Sequence, residues 1–139
     1  MKGEILIAQT RFLTGPLCLF DVALGVVAVL FPHTYLQLFH PRAPVETTGL
    51  LGRAGIFWLG YAVVQGLAFF SYKWLPESVL VVGVLRLIEV PADLVYVSHG
   101  SGFGYFGHAA LVVCPAFNLL AGSWLLRCFF HFRTLQRFR

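Results

Sequence analysis

Five ionisable side chains sit inside stretches of this sequence that are otherwise apolar. Asp21 falls near the middle of a run from Phe12 to Phe31, Arg53 lies just inside a second run, and Arg86, Glu89 and Asp93 interrupt a third. Charge within such runs is costly in lipid and by default marks a site. At about 100° per residue, the positions three and seven after Arg86 return to within roughly 60° of it. Arg86, Glu89 and Asp93 therefore share one helix face, and that face must point into a bundle rather than into lipid. Arg86 can pair with Glu89 one turn on, leaving Asp93 for Arg53 at similar depth on a neighbouring helix. Asp21, Arg86 and Asn118 are expected near the midplane. Such a set can do three things: lock packing through ion pairs, hold a proton, or receive the polar head of a small ligand in a cavity that leans outward. Three acids (Asp21, Glu89, Asp93) against two arginines (Arg53, Arg86) sum to −1, and a proton on one acid would neutralise that charge.

Other residue types offer less. His33, His40, His99 and His108 map to one side of the runs. None has the i, i+4 spacing that places two metal ligands on one helix face, so no metal is expected. His108, opening the last run, is the histidine placed to reach the charged face, and a lone imidazole there could also ligate haem or chlorin. Gly102-Phe103-Gly104-Tyr105-Phe106-Gly107 has the glycine spacing of a dinucleotide loop, but no strand precedes it, so it reads as a connection. Cys18, Cys114 and Cys128 lack metal or redox spacing and read as small buried hydrophobes. No cofactor is specified.

The elements that must position these residues follow from composition. Of 139 residues, 58% are hydrophobic and 12% charged, against roughly a quarter charged in ordinary soluble domains. A chain this short has no core large enough to hide so much apolar surface from water. Four stretches, about residues 12–31, 50–72, 77–98 and 105–130, approach the length that a bilayer requires. The first reads as a retained span and not a signal peptide, since no small-residue cleavage site and polar mature domain follow. Lys73-Trp74-Leu75-Pro76 is too short to cross a membrane, so its flanking spans form an antiparallel hairpin. Gly49, Gly52 and Gly55 are expected to let the second span pack closely, and Pro91 and Pro115 to bend their helices. The fold class is all-α: one domain over residues 1–139, an integral membrane four-helix bundle.

Orientation follows from the basic residues. With both ends inside, Lys2, Arg11, Lys73 and the C-terminal arginines face the cytoplasm, as the positive-inside rule asks. The alternation of aromatics and arginines from Phe129 to Arg139 reads as a short interfacial segment on lipid phosphates. A protein partner could use the same surface. Basic charge beside membrane spans, with no recognition motif, argues against nucleic acid. The expected setting is a cell inner (plasma) membrane, multi-pass.

The Gly15 to Pro32 span, the Arg53-Ala54-Gly55 opening of the second, and the Arg86…Glu89…Asp93 pattern together resemble the DoxX-like group of small four-helix bacterial membrane proteins. The resemblance covers most of the chain on short motifs. It implies a fold and a setting, accessory to quinone-linked oxidoreductase systems, and carries over no catalytic residues. Three functions remain open. The leading one is a binding or accessory protein whose polar cavity (Asp21, Arg53, Arg86, Glu89, Asp93, His108, Asn118) takes a quinone, a lipid-like molecule or another amphiphile, or which docks on a membrane complex. The second is an intramembrane isomerase with Glu89 and Asp93 as acid and base and an arginine steadying developing charge. The third is a proton-coupled exporter working through Asp21 or Glu89.

Overall fold

Each apolar run becomes a helix, because a backbone without water as a partner must satisfy its own hydrogen bonds. The structure, a computed structural model, describes residues 2–44, 47–99 and 102–137. Five helices follow in order: α1 (Lys2–Leu30), α2 (Pro32–Phe39), α3 (Thr48–Ser71), α4 (Glu77–His99) and α5 (Tyr105–Arg137). No strand occurs among the described residues. Among the described residues, three segments, Ile7–Leu30, Thr48–Ser71 and Tyr105–Thr134, are long and apolar enough to cross a membrane. α4 has 23 residues, a comparable length, and differs in carrying Arg86, Glu89 and Asp93 along it.

Two boundaries differ from the hydropathy reading. α1 begins at Lys2, well before the apolar run at Phe12, since Ile5, Leu6 and Ile7 in the sequence already begin the apolar pattern. The segment from Phe129 onward does not turn to lie separately on a surface. It continues α5 to Arg137, with Cys128 and Phe129 buried in the core. The backbones of α4 and α5 stay helical through Pro91 and Pro115. His99 as a side chain, Lys2 as a side chain and the terminal Phe138 and Arg139 lie outside the described residues.

The helices associate as two antiparallel pairs, and glycines set both crossings. In the α1–α3 pair, a Cβ on Gly25 would stand 2.8 Å from the Gly55 carbonyl oxygen, and one on Gly55 would stand 3.0 Å from the Gly25 oxygen. In the α4–α5 pair, Gly83 and Gly122 do the same, at 3.2 and 2.9 Å from each other's carbonyl oxygens. Leu59 covers Gly25, Leu126 covers Gly83 and Leu87 covers Gly122. Close backbone approach of this kind gathers dispersion contacts in lipid, where no hydrophobic force drives helices together. Gly49 and Gly52, by contrast, face open space. The two pairs join chiefly through α3 and α4 and scarcely touch through α1 and α5.

The α3–α4 connection is tight: the Trp74 and Leu75 amides both donate to the Ser71 carbonyl, at 2.9 and 2.8 Å. At that end lies an apolar core of Leu17, Ala68, Tyr72, Val79, Val82, Ala121, Leu125, Cys128 and Phe129. At the opposite end sits α2, which hydropathy did not reveal. Pro32 opens it at the first helical position, where its fixed φ suits a helix start. Its Phe39 carbonyl accepts from the Gly104 amide at 3.0 Å, and a Cβ at Gly107 would fall 2.2 Å from that oxygen. The glycines at 104 and 107 thus seat α2 against the start of α5.

Candidate functional site

One polar residue from each long helix meets in a single layer just beyond the apolar core: Asp21 on α1, Gln65 on α3, Arg86 on α4 and Asn118 on α5. All four are buried, at 1, 2, 4 and 6% exposure. The register follows from the helix crossings: Asp21 is one turn from Leu17, Gln65 one turn from Ala68, Arg86 one turn from Val82, and Asn118 one turn from Ala121.

Arg86 is the hub. Its Nη2 donates to Asp21 Oδ2 in a buried ion pair. Its Nη1 donates to Glu89 Oε2 at 2.6 Å and reaches Asn118 Oδ1 at 3.4 Å. The Gln65 amide nitrogen donates to the same Asp21 oxygen at 2.7 Å. Asn118 in turn donates to Asp93 Oδ2 at 3.5 Å. A fixed guanidinium fork with several acceptors is the arrangement that a buried charge requires, since an unpaired one is prohibitively costly. The Gln65 side-chain oxygen is buried without a protein partner, next to the most enclosed carboxylate.

Exposure rises along the network. The Asp21 and Arg86 side chains are 2 and 5% exposed, Glu89 is 15% exposed, and Asp93 is half-buried. Tyr61 on α3 and Cys114 on α5 flank the acids closely enough to interact electrostatically with Glu89. Beyond them lies an aromatic cap. Tyr35 stacks near His40 at 6.2 Å and Trp58 at 5.9 Å, and His40 meets the rings of Tyr96 at 5.8 Å and Phe103 at 5.3 Å. Burial among these rings pushes the His40 imidazole below its ordinary value and the Tyr35 phenol above its own.

Of the residues singled out from sequence, Asp21, Arg86, Glu89, Asp93 and Asn118 come together. Arg53 does not. It is exposed, with its guanidinium 5.8 Å from the Phe57 ring centre, and Asp93 takes Asn118 where a pairing with Arg53 was expected. The reason is angular: Gly55 must face α1 at the crossing, and that turns Arg53, two residues earlier, to the outside. His108 is also exposed and packs edge-on against Phe103 at 5.3 Å rather than entering the charged layer. Gln65, Tyr61 and Tyr35 were not singled out. Gln65 had a legible signal as the one amide of its span, at a depth matching Asp21; Tyr35 had none, because α2 was not foreseen. Cys114, read as a plain hydrophobe, lies beside the acids.

With Arg53 outside, Arg86 pairs directly with two carboxylates and reaches a third, Asp93, through Asn118, a formal sum of −2 if all are ionised. The arrangement offers acceptors in excess and few free donors. The fold and site together define an all-helical protein with membrane-length apolar helices and a small group of charges buried among them. Compared with protein-family models, curated proteins and solved structures, the chain matches none.

Proposed function

We propose that the chain is a four-pass membrane protein, with both termini in the cytoplasm of a bacterial inner membrane, that binds the polar head of a lipophilic molecule at the Glu89–Asp93 end of its charged network. α4 serves as the fourth span in this reading, its charges turned inward and its outer face of Val81, Val84 and Ile88 left to lipid.

The carrying observation is the surplus of acceptors. Both terminal nitrogens of Arg86 are committed to Asp21 and Glu89, which leaves the more exposed end of the network, at Glu89 and Asp93, richer in acceptors than in donors. A head group that suits it donates hydrogen bonds or carries positive charge: a hydroxyl, a quinol or an amine. A quinone carbonyl needs a donor and suits it less well. The same commitment of Arg86 weighs for binding over an isomerase, which would require a free cation beside the developing oxyanion. The DoxX-like resemblance adds docking on a quinone-linked complex as a compatible setting, although Arg53, one of its motif positions, stands outside the network.

The test is native mass spectrometry of gently solubilised protein beside the Glu89→Gln/Asp93→Asn variant. A stoichiometric molecule bearing hydroxyl or amine groups, present on the wild type and absent from a folded variant, is the expected result. Equal retention by both would refute the assignment of the site.

A further inference from the structure

Because the two helix pairs join through α3 and α4, the opposite seam stays open. A groove of about 610 Å³ runs along it between α1 and α5. Ala8, Leu13, Phe12, Phe117, Leu120 and Trp124 form its walls, and among the described residues Gln9 also lines it and no charged side chain does. The groove lies at the end of the bundle that carries the α3–α4 turn and the N-terminus of α1.

Two features indicate what fills it. The first is charge. Trp124 lines the groove, and the Arg127 guanidinium sits 5.6 Å from its ring centre. Arg133, further along α5, is turned away from the groove and pairs with Glu77 of α4 at 3.6 Å. An apolar slot thus ends at one exposed cation, Arg127, held on the ring of Trp124, at the depth where tryptophan meets head groups. The second is shape. Helix–helix contacts in lipid favour small residues that let backbones approach, as Gly25–Gly55 and Gly83–Gly122 do here. Here the small Ala8 and Ala121 also line the groove, but large, splayed side chains hold the backbones apart: Phe12, Leu120 and Phe117 are 77, 71 and 46% exposed. A flexible acyl chain conforms to such walls, whereas a rigid helix does not.

We infer that the α1–α5 groove is a binding site for one phospholipid, with an acyl chain between Phe12 and Phe117 and its phosphate on Arg127. The site is separate from the charged network and does not depend on a ligand there.

Native mass spectrometry of the full chain, released from detergent after incubation with phosphatidylglycerol or with phosphatidylcholine, tests the inference. The expected result is one retained phospholipid, with phosphatidylglycerol preferred. Arg127→Gln should lower that preference about fivefold, the effect of one basic side chain near an anionic surface. Ala8→Trp, which fills the groove from its exposed rim, should abolish retention while circular dichroism shows the helices intact. Unchanged retention in both variants, no retained lipid on the wild type, or a dimer mass that Ala8→Trp abolishes would each overturn the site. The Glu89→Gln/Asp93→Asn variant should retain the phospholipid as the wild type does, which separates failure of this site from failure at the charged network.

Discussion

Arg86 on α4 and Asp21 on α1 lie 65 residues apart in sequence and form an ion pair in the middle of the bundle. Their helices belong to different pairs, so this contact ties the α1–α3 unit to the α4–α5 unit. Arg86→Met leaves Asp21 and Glu89 without a counter-charge and is expected to destabilise the protein by about 3–5 kcal/mol, the usual cost of orphaning a buried charge. Asp21→Leu with Arg86→Met removes both members of this pair, leaving only Glu89 without its partner, and should cost less than the sum of the single changes. Unfolding equilibria of the two single variants and the double variant in one detergent measure that coupling. Additive losses would show that the pair contributes nothing.

The glycine crossings predict a contrast along one helix. Gly55→Leu drives a side chain into Ala28, Val29 and the Gly25 carbonyl, and overpacking of this kind costs about 1–3 kcal/mol or more. Gly52→Ala meets open space and should be neutral or stabilising by up to ~1 kcal/mol, since alanine is the better helix former. Thermal melts of both variants decide the matter; equal losses would contradict the register of the α1–α3 pair.

His40 makes the aromatic cap sensitive to acid. Its folded imidazole titrates below the ordinary value because burial disfavours the charged form. The unfolded form therefore takes up a proton first, near pH ~6.5. The stability contributed by neutral His40 is full above that point and falls as the pH drops from there toward the folded value. His40→Phe should flatten the dependence of thermal stability on pH between neutrality and mild acid. A variant as acid-sensitive as the wild type would place the effect elsewhere.

The proposed orientation puts α2 outside and the α3–α4 turn inside. Thr34 and Lys73 are both exposed, so single cysteines at these positions, in a background lacking Cys18, Cys114 and Cys128, report their sides. A membrane-impermeant maleimide added to intact cells should label Thr34→Cys and spare Lys73→Cys until the cells are broken. The reverse pattern would invert the topology.

How much of this was legible beforehand depends on the range of the interaction involved. Helices and apolar runs follow from local hydropathy, and the shared face of Arg86, Glu89 and Asp93 follows from helical periodicity alone, so both could be read from residue order. The membrane character of the chain has the same origin, because a composition of 58% hydrophobic residues leaves water no role as solvent for the whole surface. Helix rotation is different. It depends on which residues a partner helix accepts, and the Gly25–Gly55 crossing turns Gly55 inward and so carries Arg53 out of the charged layer. Likewise α2 is too short for a periodic signal, and Tyr35 reaches the cap only because glycines 104 and 107 let the Phe39 carbonyl approach α5. Sequence by itself determined that charges would be buried among membrane-length helices. Tertiary packing alone decided which of them meet, that Gln65 joins them, and that the α1–α5 seam stays open, because helix rotation and pairing are set by contacts between residues distant in the chain.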